Sequence, residues 1–179
     1  MEPRLRETIR YTIRRSSLGT VLVAATERGL CALLIGEDRA ELESDLARRF
    51  SQYEIVRDDA ALPSIAARAV RLVESDVADG DGELPLDLQG TQFQRNVWQL
   101  LRRIPPGCTT TYTDLARRLG SPRAVRAVAS ACAANPVAII VPCHRVVRRD
   151  GGLAGYRWGI ERKRILLERE REAGAAARG

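Results

Sequence analysis

Two side chains able to do chemistry together stand next to each other at Cys143-His144, and His144 is the only histidine of the chain. They sit in Ile139-Ile140-Val141-Pro142-Cys143-His144-Arg145-Val146-Val147, an apolar run stopped by a proline and closed by a second apolar pair. A free thiol is mostly protonated near neutral pH, and the thiolate is the nucleophile. A neighbouring imidazole that takes the proton, itself oriented by a carboxylate, is the usual remedy. A buried cysteine packed as a small hydrophobe beside an incidental histidine would look the same at this level. The surrounding chain has to separate the two.

The other cysteines, at 31, 108 and 132, form no CxxC pair with each other or with Cys143, and with a single histidine they give no reason to expect a metal site. No secretory leader or membrane-length apolar run is visible, so a cytoplasmic, reducing compartment with free thiols is expected. The chain of 179 residues carries 29 Lys+Arg against 23 Asp+Glu, a net charge of +6, and Lys163 is its sole lysine. Arginine presents a planar fork that suits phosphate oxygens. A basic, arginine-dominated globular protein is compatible with nucleic acid, although solvated arginines alone would give the same composition.

The elements that must position these groups fall into two parts. Thr8 to Ile13 alternates weakly and reads as a strand; residues 19–25 and 30–35 read as buried strands joined by a hairpin turn at Thr26-Glu27-Arg28-Gly29. Cys31 then lies mid-strand, in the core. Asp38 can cap a helix through Phe50, with Leu42, Leu46 and Phe50 on one face. A short strand at 53–56 and a helix from Pro63 to Val73 follow, the latter with Ile65, Ala69, Leu72 and Val73 inward. The acidic, glycine-rich stretch 79–83 reads as a joint and 84–88 as a short extended piece. These patterns predict an α/β N-terminal domain over 1–90 and a mainly helical C-terminal domain over 91–179.

In the second part Thr91 is a helix N-cap, and Phe93, Val97, Trp98, Leu100, Leu101 and Ile104 give that helix, drawn through Arg103, a broad apolar face. Residues 109–111 read as extended. A helix over 113–120 ends at a glycine, and Ser121-Pro122-Arg123 opens another that reaches Asn135, since proline suits the first helical turn. Two short helices joined tightly make a helix-turn-helix. Val125, Val128, Ala129 and Cys132 should be buried, leaving alanines, Ser130, Arg123 and Arg126 outside. A slender helix of this kind can approach a duplex closely while arginine enters the base stack or grips phosphate; an ordinary alanine-rich packing helix would share the pattern. A loop at Gly155-Tyr156-Arg157-Trp158-Gly159 can line a pocket for a flat ring. A helix from Ile160 to Arg171 closes the chain, and disorder is expected from Ala173 onward.

Taken together, Val141-Pro142-Cys143-His144-Arg145-Val146, Thr111-Tyr112-Thr113-Asp114-Leu115-Ala116, the run from Arg123 to Asn135 and the loop 155–159 resemble the O6-alkylguanine-DNA alkyltransferases in order and spacing. The likeness is strong over 84–170, weaker over 19–50, and greatest to the C-terminal half of a bacterial adaptive-response member. It implies that Cys143 accepts the alkyl group from guanine O6, with His144 as base through a water, held by Glu170. It implies that Asn135 ties the second helix of the pair to the active-site segment. By the same resemblance Arg126 fills the gap left by an extruded nucleotide, and Tyr112 presses the target phosphate. Tyr156, with Ala154, Cys132 and Val146, would line the guanine pocket, and Gln94, Thr113, Ser121 and Arg149 would face DNA. The implied partner is duplex DNA carrying an alkylated guanine. The implied reaction is a single irreversible transfer by a monomer, on guanine and by extension O4-methylthymine, without a cofactor.

A thiol hydrolase would also use Cys143 and His144, but gives no reason for a helix pair bearing Arg126. A lesion reader would need no thiol. The zinc ligands of some N-terminal domains of the family are missing, and the zinc-containing methyl-phosphate sensor domain of the adaptive-response members has no counterpart in these residues, so no transcriptional role is expected. Ala154 and Trp158 stand where some relatives have glycine, and the added bulk should narrow the pocket. O6-benzylguanine is therefore expected to alkylate Cys143 more slowly than O6-methylguanine; equal single-turnover rates would contradict this.

Overall fold

The computed structural model describes residues 7–75, 84–153 and 155–176. Contacts divide them into two compact units, 7–74 with 84–88, and 75 with 89–153 and 155–176.

The first unit is built on a sheet. β1 (Thr8–Ser16), β2 (Gly19–Thr26) and β3 (Gly29–Gly36) form an antiparallel meander. β4 (Glu54–Arg57) adds parallel to β1, giving the order β3-β2-β1-β4. β1 runs past the expected Ile13 because Arg14, Arg15 and Ser16 continue the ladder against β2. β2 from Thr20 and β3 as far as Ile35 are buried throughout, as continuous Val/Leu/Ala runs require when both faces are covered. α1 (Arg39–Arg49) packs on β2 and β3, and α2 (Pro63–Glu74) on β1 and β2. Asp38 caps α1 as expected, accepting from Ala40 N at 2.8 Å, and Leu42, Leu46 and Phe50 are buried. The buried line of α2 is Ala66, Ala69 and Val73, with Ile65 and Leu72 at its margins. Cys31 is fully buried mid-strand.

The free edge of β3 is covered by the chain itself. Leu30 N donates to Pro85 O at 2.8 Å and Asp87 N donates to Leu30 O at 2.9 Å. An unpaired edge would otherwise offer a template for association. The approach is close enough to require a glycine at position 29, where φ is +149° and a Cβ would stand 2.2 Å from Pro85 O. The joint expected at 79–83 lies outside the described residues.

The second unit is helical around a two-stranded parallel pair. α3 (Gln92–Leu101) opens on a full capping box, in which Thr91 Oγ1 accepts from Gln94 N while Gln94 Oε1 accepts from Thr91 N. It ends at Leu101 rather than Arg103, because the next amides turn back three residues, Arg103 N to Leu100 O and Ile104 N to Leu101 O, ahead of the Pro105-Pro106 pair. β5 (Thr110–Thr111) pairs parallel with β6 (Val146–Val147). α4 (Tyr112–Arg118) is capped by Thr111 and packs on α5 (Val125–Ala133). α4 stops in a Schellman turn: Gly120 takes φ +69°, with Ser121 N on Ala116 O and Gly120 N on Arg117 O.

α5 corrects one expectation. It begins at Val125, not at Ser121-Pro122-Arg123. Ala124 N bonds Ser121 O at 2.8 Å and Ala124 leaves the helical region with ψ 22°, so Pro122 and Arg123 belong to the turn. Its buried face is Val128, Ala131 and Cys132, while Arg126, Ala127, Ser130 and Ala133 face outward. Trp98 anchors α3 to α5 by donating from Nε1 to Ala131 O at 2.9 Å. The last helix, α6 (Ile160–Ala176), passes the expected end at Arg171. The alanines and Glu172 are good helix formers, so the disorder expected from Ala173 is not found up to Ala176.

Gly29→Ala should lower stability by about 2 kcal/mol or more, since the new Cβ meets backbone at a strained φ. Urea unfolding at a fixed pH measures it; a loss under about 0.5 kcal/mol would show that 84–88 can retreat from β3 at little cost.

Candidate active site

The segment between α5 and β6 is a chain of tight turns that a helix or strand cannot provide. Val141 N reaches back to Val137 O at 3.2 Å. Ile140 N bonds Ala138 O at 2.7 Å across Ile139, whose φ is +69°. A β-branched residue with positive φ is rare and strained. Cys143 N bonds Val141 O at 2.8 Å across Pro142, at φ −81° and ψ 62°, an inverse γ-turn that proline suits. Cys143–Arg145 then form one 3₁₀ turn leading into β6.

Asn135 holds this segment. It is fully buried, accepts at Oδ1 from Val137 N at 2.9 Å, and donates from Nδ2 to Val141 O at 2.8 Å and to Cys143 Sγ at 3.3 Å. One amide therefore closes the turn and touches the sulfur. Cys143 is 5% exposed, and burial pushes its thiol up to about 11, against the opposing Asn135 hydrogen bond and the Lys163 charge. At neutral pH Cys143 is a thiol that needs a base, not a standing thiolate.

His144 lies on the same turn, fully buried, with Nε2 at 2.8 Å from Glu170 Oε1. Burial would raise Glu170, but hydrogen bonds and charge from His144 and Arg145 bring it down to about 2. An ionised carboxylate only accepts, so the hydrogen of neutral His144 resides on Nε2 and Nδ1 keeps its lone pair. Nδ1 is buried and has no hydrogen-bond partner among the described residues. Burial also holds His144 below its usual range, against the hydrogen bond and charge of Glu170. Glu170 Oε2 accepts from Gly107 N at 3.1 Å, which ties the Pro105-Pro106-Gly107 turn to α6.

Tyr112, Cys132, Tyr156 and Lys163 lie near enough to the sulfur for a charge on it to act on them. Burial raises Tyr112 and Cys132 to about 12 each, so both keep their protons. The Tyr156 hydroxyl is buried without a hydrogen-bond partner among the described residues, and its ring meets Trp158 edge-on with centroids 5.3 Å apart. Val146 is buried and its carbonyl accepts from Lys163 Nζ at 2.6 Å. Ala154 lies outside the described residues. Arg126, Ser121 and Arg149 are exposed and Thr113 is half-buried. Gln94 completes the capping box of α3, its Oε1 accepting from Thr91 N at 2.9 Å.

Two residues of this site carried no expected role. Arg145 is buried against Glu170, and Lys163 is fully buried with its Nζ on Val146 O. Arg145 adjoins His144 in the motif, and Lys163 is the single lysine in an arginine-rich chain; those were the available signals. Among the described residues no three of His, Cys, Asp and Glu gather closely enough to hold a metal ion.

A sheet unit is followed by a helical unit that carries two buried hydrogen-bonded pairs, Cys143 with Asn135 and His144 with Glu170, on adjacent residues of one turn, the arrangement of a protein that does thiol chemistry. The comparisons narrow it. Residues 92–172 match the family model of the 6-O-methylguanine DNA methyltransferase, DNA binding domain, and residues 9–71 that of the 6-O-methylguanine DNA methyltransferase, ribonuclease-like domain. The chain is 40% identical over 154 residues to the inducible methylated-DNA--protein-cysteine methyltransferase of Bacillus subtilis, covering 84% of each. It is 51% identical over 166 residues to the bifunctional transcriptional activator/DNA repair enzyme Ada of Escherichia coli, covering 92% of this chain and 46% of that protein. The structure of Mycobacterium tuberculosis OGT in complex with DNA superposes with a TM-score of 0.74 at 36% identity, covering 92% of this chain and 93% of that one. The chain belongs to the O6-methylguanine DNA methyltransferase family. It spans about half the length of the Ada proteins it matches.

Glu170 has its folded pKa below the unfolded value, so its contribution is present above about 4.5 and is lost as pH falls toward about 2. Glu170→Gln leaves Arg145 buried without its counter-ion and should cost about 3–5 kcal/mol at pH 7. The gap to wild type should close between pH 4.5 and 2. Denaturation of both proteins across that range checks it; a gap constant with pH would mean Glu170 is not ionised in the folded state.

Proposed function

We propose that the protein repairs DNA by moving the methyl group of O6-methylguanine in duplex DNA onto Cys143, once per molecule. The observation that carries this reading is a pair of buried hydrogen bonds at adjacent residues of one turn, Glu170 on His144 Nε2 and Asn135 on the Cys143 sulfur. Cys143 Sγ attacks the methyl carbon, the carbon–O6 bond breaks, and its electron pair stays on the guanine oxygen. The thiol proton passes to His144 Nδ1, by way of a water as in the family's chemistry. Tyr112, which keeps its proton to about 12, can donate to a guanine ring nitrogen and so stabilise the leaving group. The thioether formed is no leaving group for water, so the protein stays alkylated. No cofactor is needed for this step, and O4-methylthymine presents the same aryl ether.

A sulfur this buried cannot reach a stacked base. The guanine has to leave the duplex, at a cost of a few kcal/mol that is smaller for a badly paired base. The outward face of α5 supports that approach: Ala127, Ser130 and Ala133 let backbone come close, and Arg126 stands among them to occupy the vacated space. α4 and α5 thus serve as the DNA-binding helix-turn-helix, with Gln94, Thr113, Ser121 and Arg149 toward the DNA. The pocket is assigned to Tyr112, Cys132, Val146, Ala154 and Tyr156. The protein acts as a monomer on double-stranded DNA in the cytoplasm, with 1–90 and 91–179 as its two domains; among the described residues no helix is long and apolar enough to cross a membrane.

The test is intact mass and peptide mapping after mixing with a duplex bearing one O6-methylguanine. One methyl group on Cys143, saturating at one per molecule, is expected, and none with Cys143→Ala. Arg126→Ala should slow transfer from duplex by about tenfold to a hundredfold, as losing a few kcal/mol of base-flipping compensation implies, yet leave transfer from free O6-methylguanine unchanged. An intact lesion bound without transfer would leave a reader of damage; repeated turnover would make the protein a hydrolase.

A further inference from the structure

A carboxylate facing a lone imidazole in a dry site favours the charged pair, because each ion then has a partner. His144 in that state would carry hydrogens on both nitrogens and could not take the thiol proton. Arg145 changes the balance. Its Nε lies 3.1 and 3.0 Å from the two Glu170 oxygens and its Nη2 2.7 Å from Oε1, while Nη1 donates to Ile104 O at 2.5 Å. Arg145 is 4% exposed and Glu170 5%, so little water screens them. We propose that Arg145 is a positioning residue for His144: by serving as the counter-ion of Glu170 it keeps the imidazole neutral, with its hydrogen on Nε2 and its lone pair on Nδ1.

The charge count supports this. A guanidinium does not give up its proton in a protein, so Arg145 and Glu170 together are neutral at every working pH. A charged His144 would then be an uncompensated buried cation, which is strongly disfavoured. Once Cys143 loses its proton, the thiolate supplies the missing negative charge beside the imidazolium, so the cation is tolerated only during transfer. The other groups facing His144 act in the same direction or stay silent. Lys163, from α6, adds positive charge and disfavours the imidazolium, as Arg145 does. Tyr156, from the loop before α6, is driven far up by burial and remains neutral. Cys143 is a thiol at rest.

This inference rests on the reading of His144 as the base, but its test does not need methyl transfer. His144 is the only histidine, so the imidazole nitrogen and carbon-bound proton signals of the folded protein arise from one residue. Nitrogen-15 NMR of histidine-labelled protein, titrated from pH 5 to 8, reads charge and tautomer directly. Wild type should show a neutral Nε2–H imidazole at pH 7. Arg145→Gln should raise its titration midpoint by about one unit or more, the size of effect a neighbouring charge exerts. Arg145→Lys, which keeps the charge but not the fork, should fall nearer wild type. In single-turnover methyl transfer the acid limb of the Arg145→Gln pH profile should move up by the same amount. An imidazolium or an Nδ1–H tautomer in wild type at pH 7 overturns the proposal without any variant, and so does a folded Arg145→Gln that titrates with wild type. Absence of methyl on wild-type Cys143 would instead overturn the alkyltransferase reading and leave the NMR result standing.

Discussion

The helical unit depends on one buried carboxylate. Glu170, near the end of α6, is met by the imidazole of His144, the guanidinium of Arg145 and the amide of Gly107. Those partners come from two places in the chain, the 3₁₀ turn and the turn after α3, and Glu170 ties both to the last helix. A carboxylate out of water must be fully paired, so each partner is held as firmly as it holds Glu170. The charge that stabilises the packing is also the charge that orients the imidazole. On the proposed reading, structure and reactivity cannot be separated at this position.

The second constraint is the course of the chain before the cysteine. Asn135 uses both ends of its amide to close a turn that contains a positive-φ isoleucine and an inverse γ-turn at proline. Such a backbone is unfavourable in isolation and persists because surrounding contacts over-determine it. Its effect is to set Cys143 at the start of a 3₁₀ turn, with Asn135 Nδ2 on its sulfur and His144 next in line. On the proposed reading the thiol stays protonated and quiet until a substrate arrives, since burial keeps it near 11. A protein that reacts only once gains from that restraint, because a free thiolate would be spent on other electrophiles and oxidants.

Much of this was legible in the sequence, for identifiable reasons. β2 and β3 of the first unit are continuous apolar runs between glycine turns. The caps at Asp38 and Thr91 are short-range signals, and Leu42, Leu46 and Phe50 repeat with the period of a helix. Those depend on neighbours within a few residues, which is what a sequence displays. Cys143 and His144 were visible as a motif, and Asn135 and Glu170 through the family resemblance. The start of α5 was misplaced because the Schellman turn at Gly120 and the Ala124–Ser121 bond compete with the proline preference, and that competition is settled by packing of α4 on α5.

What only the tertiary structure decided is charge and proximity. In the sequence Arg145 is one arginine among many, and Lys163 a cation on an amphipathic helix. Folding buries both and places one on Glu170 and the other on the Val146 carbonyl. The side-chain oxygen of Gln94 closes the cap of its own helix on Thr91 N. Residue types and local periodicity determined the elements and the reactive pair. The protonation states of that pair follow from burial and from partners distant in the chain, and those exist only once the chain has closed around them.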